Sequence, residues 1–181
     1  MKEEISRIEL EVEETTDLTR KAELYLQLAE KHHSASNLEE SLHSGTKALH
    51  LSREISNPTL IALSLSNMAI ILSMKGNNEQ ARVLMREVIE IHETTNDKAR
   101  LMNDYANMGC IEFSLNNLNE ALTNYLQALT LSEEIGNKQI GRIYNNLGSI
   151  YDNLEQFDKA LEYHKRALRE KMQIANSTDI A

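Results

Sequence analysis

The side chains that could hold a metal or attack a substrate are few, and their spacing suits neither task. His32 and His33 are adjacent, so on a helix they point about 100° apart, which is poor for joint ligation. His43 and His50 lie seven residues apart, too far for one ion. There is no C-x-x-C, no H-E-x-x-H, and no glycine-rich loop of phosphate-binding or dinucleotide type. The single cysteine, Cys110, stands beside Gly109 in a helical stretch and reads as a buried or groove-lining thiol, not an activated nucleophile. The many Glu residues are scattered along polar faces. These residue types predict no catalysis, no metal and no cofactor.

The elements that would carry a function are helical. The 181 residues include one Pro and six Gly, no Trp and two Phe, so the packing rests on Leu, Ile, Ala, Met and Tyr. A net charge of -9 without a basic stripe disfavours nucleic acid, whose phosphates need a cationic surface. No apolar run is long enough to span a membrane, and the acidic N-terminus does not resemble a secretory signal. With one cysteine no disulfide forms within the chain, which fits a cytoplasmic protein.

The helical pattern repeats. Ala128-Leu129-Thr130-Leu131-Ser132-Glu133-Glu134-Ile135-Gly136-Asn137 restates Ala48 to Asn57 two units of about 40 residues on, with looser copies at Ile89 to Asp97 and from Ala167. Each unit holds two helical patterns. The fourth predicts a first helix from about Lys138 to Asn153 and a second from about Phe157, with Ala160, Leu161, His164, Ala167 and Leu168 on its inner stripe. Small residues recur at the eighth place (Ala29, Ala69, Gly109, Gly148) and mostly at the twentieth (Ala81, Ala121, Ala160), as closely crossing helices require. Gly136-Asn137, Asn96-Asp97, Ser56-Asn57-Pro58 and Asn176-Ser177 mark the joints between units. Three of the seven Met residues, Met68, Met85 and Met108, fall on core registers.

The expected architecture is an all-α, right-handed α-solenoid of about four helical hairpins plus an N-terminal half-repeat. Residues 1–17 form the acidic half-repeat, and 18–181 hold units at about 20–57, 58–97, 98–137 and 138–176. Asp179-Ile180-Ala181 resembles the opening of another first helix, which suggests a longer array.

Tyr144, Leu147-Gly148, Tyr151, Ala160 and Ala167 resemble the tetratricopeptide repeat, with the aromatic of the second helix displaced to Tyr163 beside His164. Tyr105, Gly109, Ala121, Tyr125 and Ala128 match in the third unit, where Glu112 stands in place of an aromatic. The first two units follow the family by register. The 40-residue unit is similar to the longer-repeat branch found in spindle-orientation scaffolds of the Pins type and in bacterial regulators.

The resemblance implies that the first helices line a concave groove for a protein or peptide partner. Carried over residue by residue, the groove holds Asn67, Ile70, Met74, Asn103, Asn107, Cys110, Phe113, Arg142, Asn145, Asn146 and Ser149. Asn67, Asn107 and Asn146 share one place in three successive units, and an Asn amide can both donate to and accept from the backbone of an extended peptide. The positions that form a carboxylate clamp in chaperone adaptors hold Leu26, Glu30 and Ala106, so the acidic tails of chaperones are not expected ligands. A non-catalytic interaction module is the expected function. The alternatives are the sensory segment of a kinase or cyclase, and an array that self-assembles into a homo-oligomer through its ends.

Overall fold

The computed structural model describes residues 2–137 and 140–178, the last five of these by backbone alone. Among the described residues there are nine helices and no strand: α1 (Lys2–Glu14), α2 (Leu18–Ser34), α3 (Leu38–Glu54), α4 (Pro58–Met74), α5 (Asn78–Thr95), α6 (Lys98–Ser114), α7 (Leu118–Glu134), α8 (Gly141–Asn153) and α9 (Phe157–Thr178). They fall into two compact units, Met1–Thr95 and Asn96–Ala181. Within each unit consecutive helices pack together, and so do next-but-one pairs, α2 with α4 and α6 with α8. The chain is an all-α repeat solenoid, in which each hairpin buries its apolar face against its neighbours.

The helices stop where one residue adopts the left-handed conformation. Ser36, Ser56, Gly76, Asn96, Asn116, Gly136 and Glu155 all have positive φ, and within each class of joint they recur about every 40 residues. Around Ser36, Asn37 N–H reaches back to His32 O at 2.8 Å and Ser36 N–H to His33 O at 2.8 Å. This doubled closure satisfies carbonyls that the helix end leaves open. The same six-to-one bond recurs from Asn57, Asn77, Asn117 and Asn137.

Three of the first helices begin alike. Asp17 Oδ1 accepts from Thr19 N–H at 2.9 Å, Asn57 Oδ1 from Leu60 N–H at 3.2 Å, and Asp97 Oδ1 from Arg100 N–H at 3.0 Å. Such caps stabilise a helix by about 1 kcal/mol. Pro58 occupies the first turn of α4, where its missing N–H costs nothing. Asn137 holds the fourth place in this series, yet its Nδ2 lies 3.4 Å from Met102 Sδ, and α8 starts only at Gly141. Glu170 of α9 takes Ile140 N–H on Oε1 at 2.8 Å. The helix expected from Lys138 therefore begins three residues later; Lys138 itself lies outside the described residues, as do Asp179, Ile180 and Ala181. α9 continues helical to Thr178, just past the stop expected at Asn176-Ser177.

The cores are aliphatic. In the first unit Ile8, Val12, Leu24 and Leu28 join α1 to α2, and Ala22, Leu26, Ala48 and Leu60 join α2, α3 and α4. In the second, Met102, Ala106, Tyr125, Ile143, Leu147 and Ile150 are buried together. Each such large side chain contributes roughly 1.5–3 kcal/mol when fully buried. Ser41 occupies the twentieth place where other units have Ala, and its hydroxyl donates to Ala29 O at 2.8 Å, so no buried polar group is left unpaired there.

Candidate functional site

Between the eighth place of each first helix and a residue 16 positions later, side-chain volume is exchanged. Ala29 and Ala69 stand 16 residues before Gly45 and Met85, Gly109 lies against Tyr125, and Gly148 against His164. A Cβ on Gly109 would sit 2.7 Å from Tyr125 Cε2, and one on Gly148 would sit 2.6 Å from His164 Cε1. The rings need the missing Cβ atoms. His164 is therefore the residue that takes the second-helix aromatic place. Tyr163 is one position off it, stacked on Tyr151 at 5.5 Å and tilted against Tyr144 at 6.1 Å.

Because Gly109 lets the Tyr125 ring lie flat on α6, the phenol passes through the core and emerges on the exposed wall of α6 and α8. Its ring is buried, and its Oη meets Cys110 Sγ at 2.7 Å and accepts from Asn146 Nδ2 at 2.7 Å. Burial, and next the neighbouring Cys110, push the Tyr125 hydroxyl well above the ordinary tyrosine range, so it serves as a neutral hydrogen-bonding hydroxyl. Asn146 Nδ2 also lies 3.8 Å from Cys110 Sγ. The fourth hairpin has a comparable polar contact, His164 Nε2 to Asp152 Oδ2 at 3.1 Å.

The expected groove residues of the second unit lie on α6 and α8. Asn107 is half-buried and has no side-chain hydrogen bond among the described residues. Asn103 is exposed and donates to Ala99 O at 3.1 Å, while Asn145 and Arg142 are exposed on the first turns of α8. Ser149 donates to Asn145 O at 3.2 Å. Phe113 is half-buried and packs against the core of the unit, which ties much of its ring to stability. Cys110 is exposed at the wall, with its sulfur held by Tyr125.

In the first unit the corresponding residues are on α4. Asn67 is half-buried with Oδ1 enclosed and unpartnered, close to the space that Gly45 leaves open. Ile70 is half-buried, and Met74 is exposed at the end of the helix. The sequence reading passed over the reach of Tyr125 and the cap given by Glu170. The first had a signal in the Gly109-to-Tyr125 spacing; the second had none. Among the described residues no group of three His, Cys, Asp or Glu could hold a metal, and no helix is long and apolar enough to cross a membrane.

Comparison with known proteins agrees with this architecture. A search among curated proteins returns no match. BtubC (BKLC) from P. vanneervenii has a TM-score of 0.81 at 21% identity over 90% of this chain and 67% of its own. A Rap protein complexed with competence and sporulation factor has a TM-score of 0.83 at 21% identity, over 92% of this chain and 46% of its own. A signal transduction ATPase with numerous domains that carries a tetratricopeptide repeat sensor, from Pyrococcus horikoshii, has a TM-score of 0.81 at 22% identity, over 92% of this chain and 26% of its own. The chain thus spans between about a quarter and two thirds of the length of these structures. Two tetratricopeptide repeat models match consecutive stretches, residues 61–98 and 97–169. With the hairpins, the small-residue register and these matches in agreement, the chain belongs to the tetratricopeptide repeat family.

Proposed function

We propose that this chain is a non-catalytic protein-interaction module that takes an extended segment of a partner along the exposed wall of its first helices. The observation that carries this is the state of the two asparagines on α6 and α8. Asn146 gives one N–H to the Tyr125 hydroxyl, which orients its amide, while its Oδ1 makes no hydrogen bond within the described residues. Asn107 carries no side-chain hydrogen bond among the described residues. Two amides presented in this way offer donors and acceptors to a peptide backbone without demanding a particular side chain. Asn103, Cys110, Arg142, Asn145 and Ser149 flank them in the same unit, and α4 carries the amide of Asn67 with the apolar Ile70 and Met74. The Rap protein of this fold is complexed with a factor, which supports a reading in terms of binding.

The test uses a displayed library of random peptides, panned on the immobilised chain, with the recovered peptides titrated by fluorescence anisotropy. Two or three lost hydrogen bonds at about 0.5–1.5 kcal/mol each predict that Asn107→Ala with Asn146→Ala weakens binding by roughly tenfold or more. Unchanged affinity would remove the asparagines from the mechanism. A second reading, a sensor within a larger signalling protein, draws support from the ATPase with a repeat sensor, of which the chain matches 26%. Sequencing the gene beyond Ala181 tests it.

A further inference from the structure

Beyond partner binding on the first-helix wall, α9 presents a second surface. Phe157, Leu161, Leu168 and Met172 are between 53% and 66% exposed. With His164 they follow one another at steps of four, three, four and four residues, so at about 100° per residue they form a single stripe. Leu122 and Leu129, 39 residues before Leu161 and Leu168, hold the same places on α7, and there they are packed into the core shared with α8. The α9 stripe is thus a face of the kind that this fold covers with another helix. A cleft of about 560 Å³, lined by Arg142, Asn145, His164, Ala167 and Leu168 among others, borders it and is wide enough for a large apolar side chain.

We infer that the stripe is covered by the same stripe of a second copy, in a closed antiparallel dimer. The argument is the order of charges on one flank. Asp158 and Glu162 come first, then Lys165 and Arg169, all exposed. Asp158, Lys165 and Arg169 make no ion pair among the described residues. A two-fold axis near His164 lays Leu161 beside Leu168 of the other copy. It also brings the acidic half of each flank against the basic half of the other. Parallel two-fold pairing would put the two flanks on opposite sides of the seam, where they could not meet. Head-to-tail stacking has no matching surface, because the only large apolar side chain exposed on α1 is Leu10. The dimer buries both stripes and leaves no free end of the same kind, so assembly stops at two.

The experiment is sedimentation velocity on the full 181-residue chain from about 1 to 200 μM at low salt, a span that covers the affinities of weak closed dimers. The expected mass rises with concentration from 20.6 kDa towards twice that value and goes no further. Leu168→Glu places a charge in the apolar seam and should raise the dissociation constant by about a hundredfold or more. Because the axis counts each pair twice, Asp158→Arg should raise it by about fivefold or more, and adding Arg169→Asp should restore it. Circular dichroism of each variant, and its titration with a library-derived peptide, check that the fold and the first-helix wall are intact. A mass of 20.6 kDa throughout, a mass that grows beyond the dimer, or a dimer indifferent to Leu168→Glu or to the charge reversal would each overturn the inference. None of these outcomes bears on peptide binding, which is read separately.

Discussion

Replacing Gly109 by Ala separates two opposing effects of one methyl group. In an open helix the change stabilises by about 1 kcal/mol, because Gly carries the larger entropy cost. Here the new Cβ would lie 2.7, 2.8 and 3.0 Å from Cε2, Cδ2 and Cζ of Tyr125, a ring only 2% exposed. Overpacking of this kind costs about 1–3 kcal/mol. Tilting the ring away also disturbs the contacts of its hydroxyl with Cys110 and Asn146, at about 1 kcal/mol each. The clash wins, and Gly109→Ala should destabilise by about 1–3 kcal/mol in urea unfolding. The second hairpin already contains the compensated solution, since Ala69 and Met85 stand at the equivalent places and are both fully buried. The double variant Gly109→Ala with Tyr125→Met should therefore be more stable, by about 1 kcal/mol or more, than the two single losses added together. Additivity within about 0.5 kcal/mol, or a Gly109→Ala protein more stable than the parent, would refute the volume-exchange argument.

The left-handed joints make a paired prediction. Gly136→Ala should lose about 1–2 kcal/mol at its φ of +67°, whereas Ser56→Gly should gain about 0.5–1 kcal/mol, both read by thermal unfolding. Glu170→Ala should cost about 1–2 kcal/mol and speed hydrogen exchange at the Ile140 amide, while Glu170→Gln, which keeps an oxygen acceptor, should lose much less. Tyr125 should resist ionisation when absorbance near 295 nm is followed through the ordinary tyrosine range near pH 10. Its folded pKa is raised, so the unfolded chain loses the proton first. This contribution to stability is complete below about pH 10 and declines as the pH rises above it, and Tyr125→Phe should abolish that decline.

What could be read from the sequence was what the chain says repeatedly. The left-handed joints at Ser56, Asn96 and Gly136, the small eighth place, and the alternation of helix pairs each occur several times, so a single sequence contains its own comparison set. What could not be read is what happens once. At the start of α8 the acceptor for Ile140 N–H is no neighbour in sequence but Glu170, from 30 residues later. No local rule predicts such a contact, because it depends on Gly141 leaving room beneath the Glu170 carboxylate, where a Cβ would come within 2.7 Å.

The reach of Tyr125 lies between these cases. Its burial was legible from register, since a large residue 16 places after a glycine is a packing pair. Its hydroxyl was not, because a core assignment says nothing about where the polar end of an amphipathic ring emerges. The same volume exchange that stabilises the third hairpin therefore delivers a hydroxyl to the wall between Cys110 and Asn146. In the first hairpin the residue at the place of Tyr125 is Gly45, so no hydroxyl can arrive, and Asn67 keeps an enclosed Oδ1 without a partner. The register places Asn67 and Asn146 alike; the residue 16 places after each small one makes them chemically different. A wall of this kind is uneven along its length, with its amide best oriented where a glycine lets an aromatic ring through.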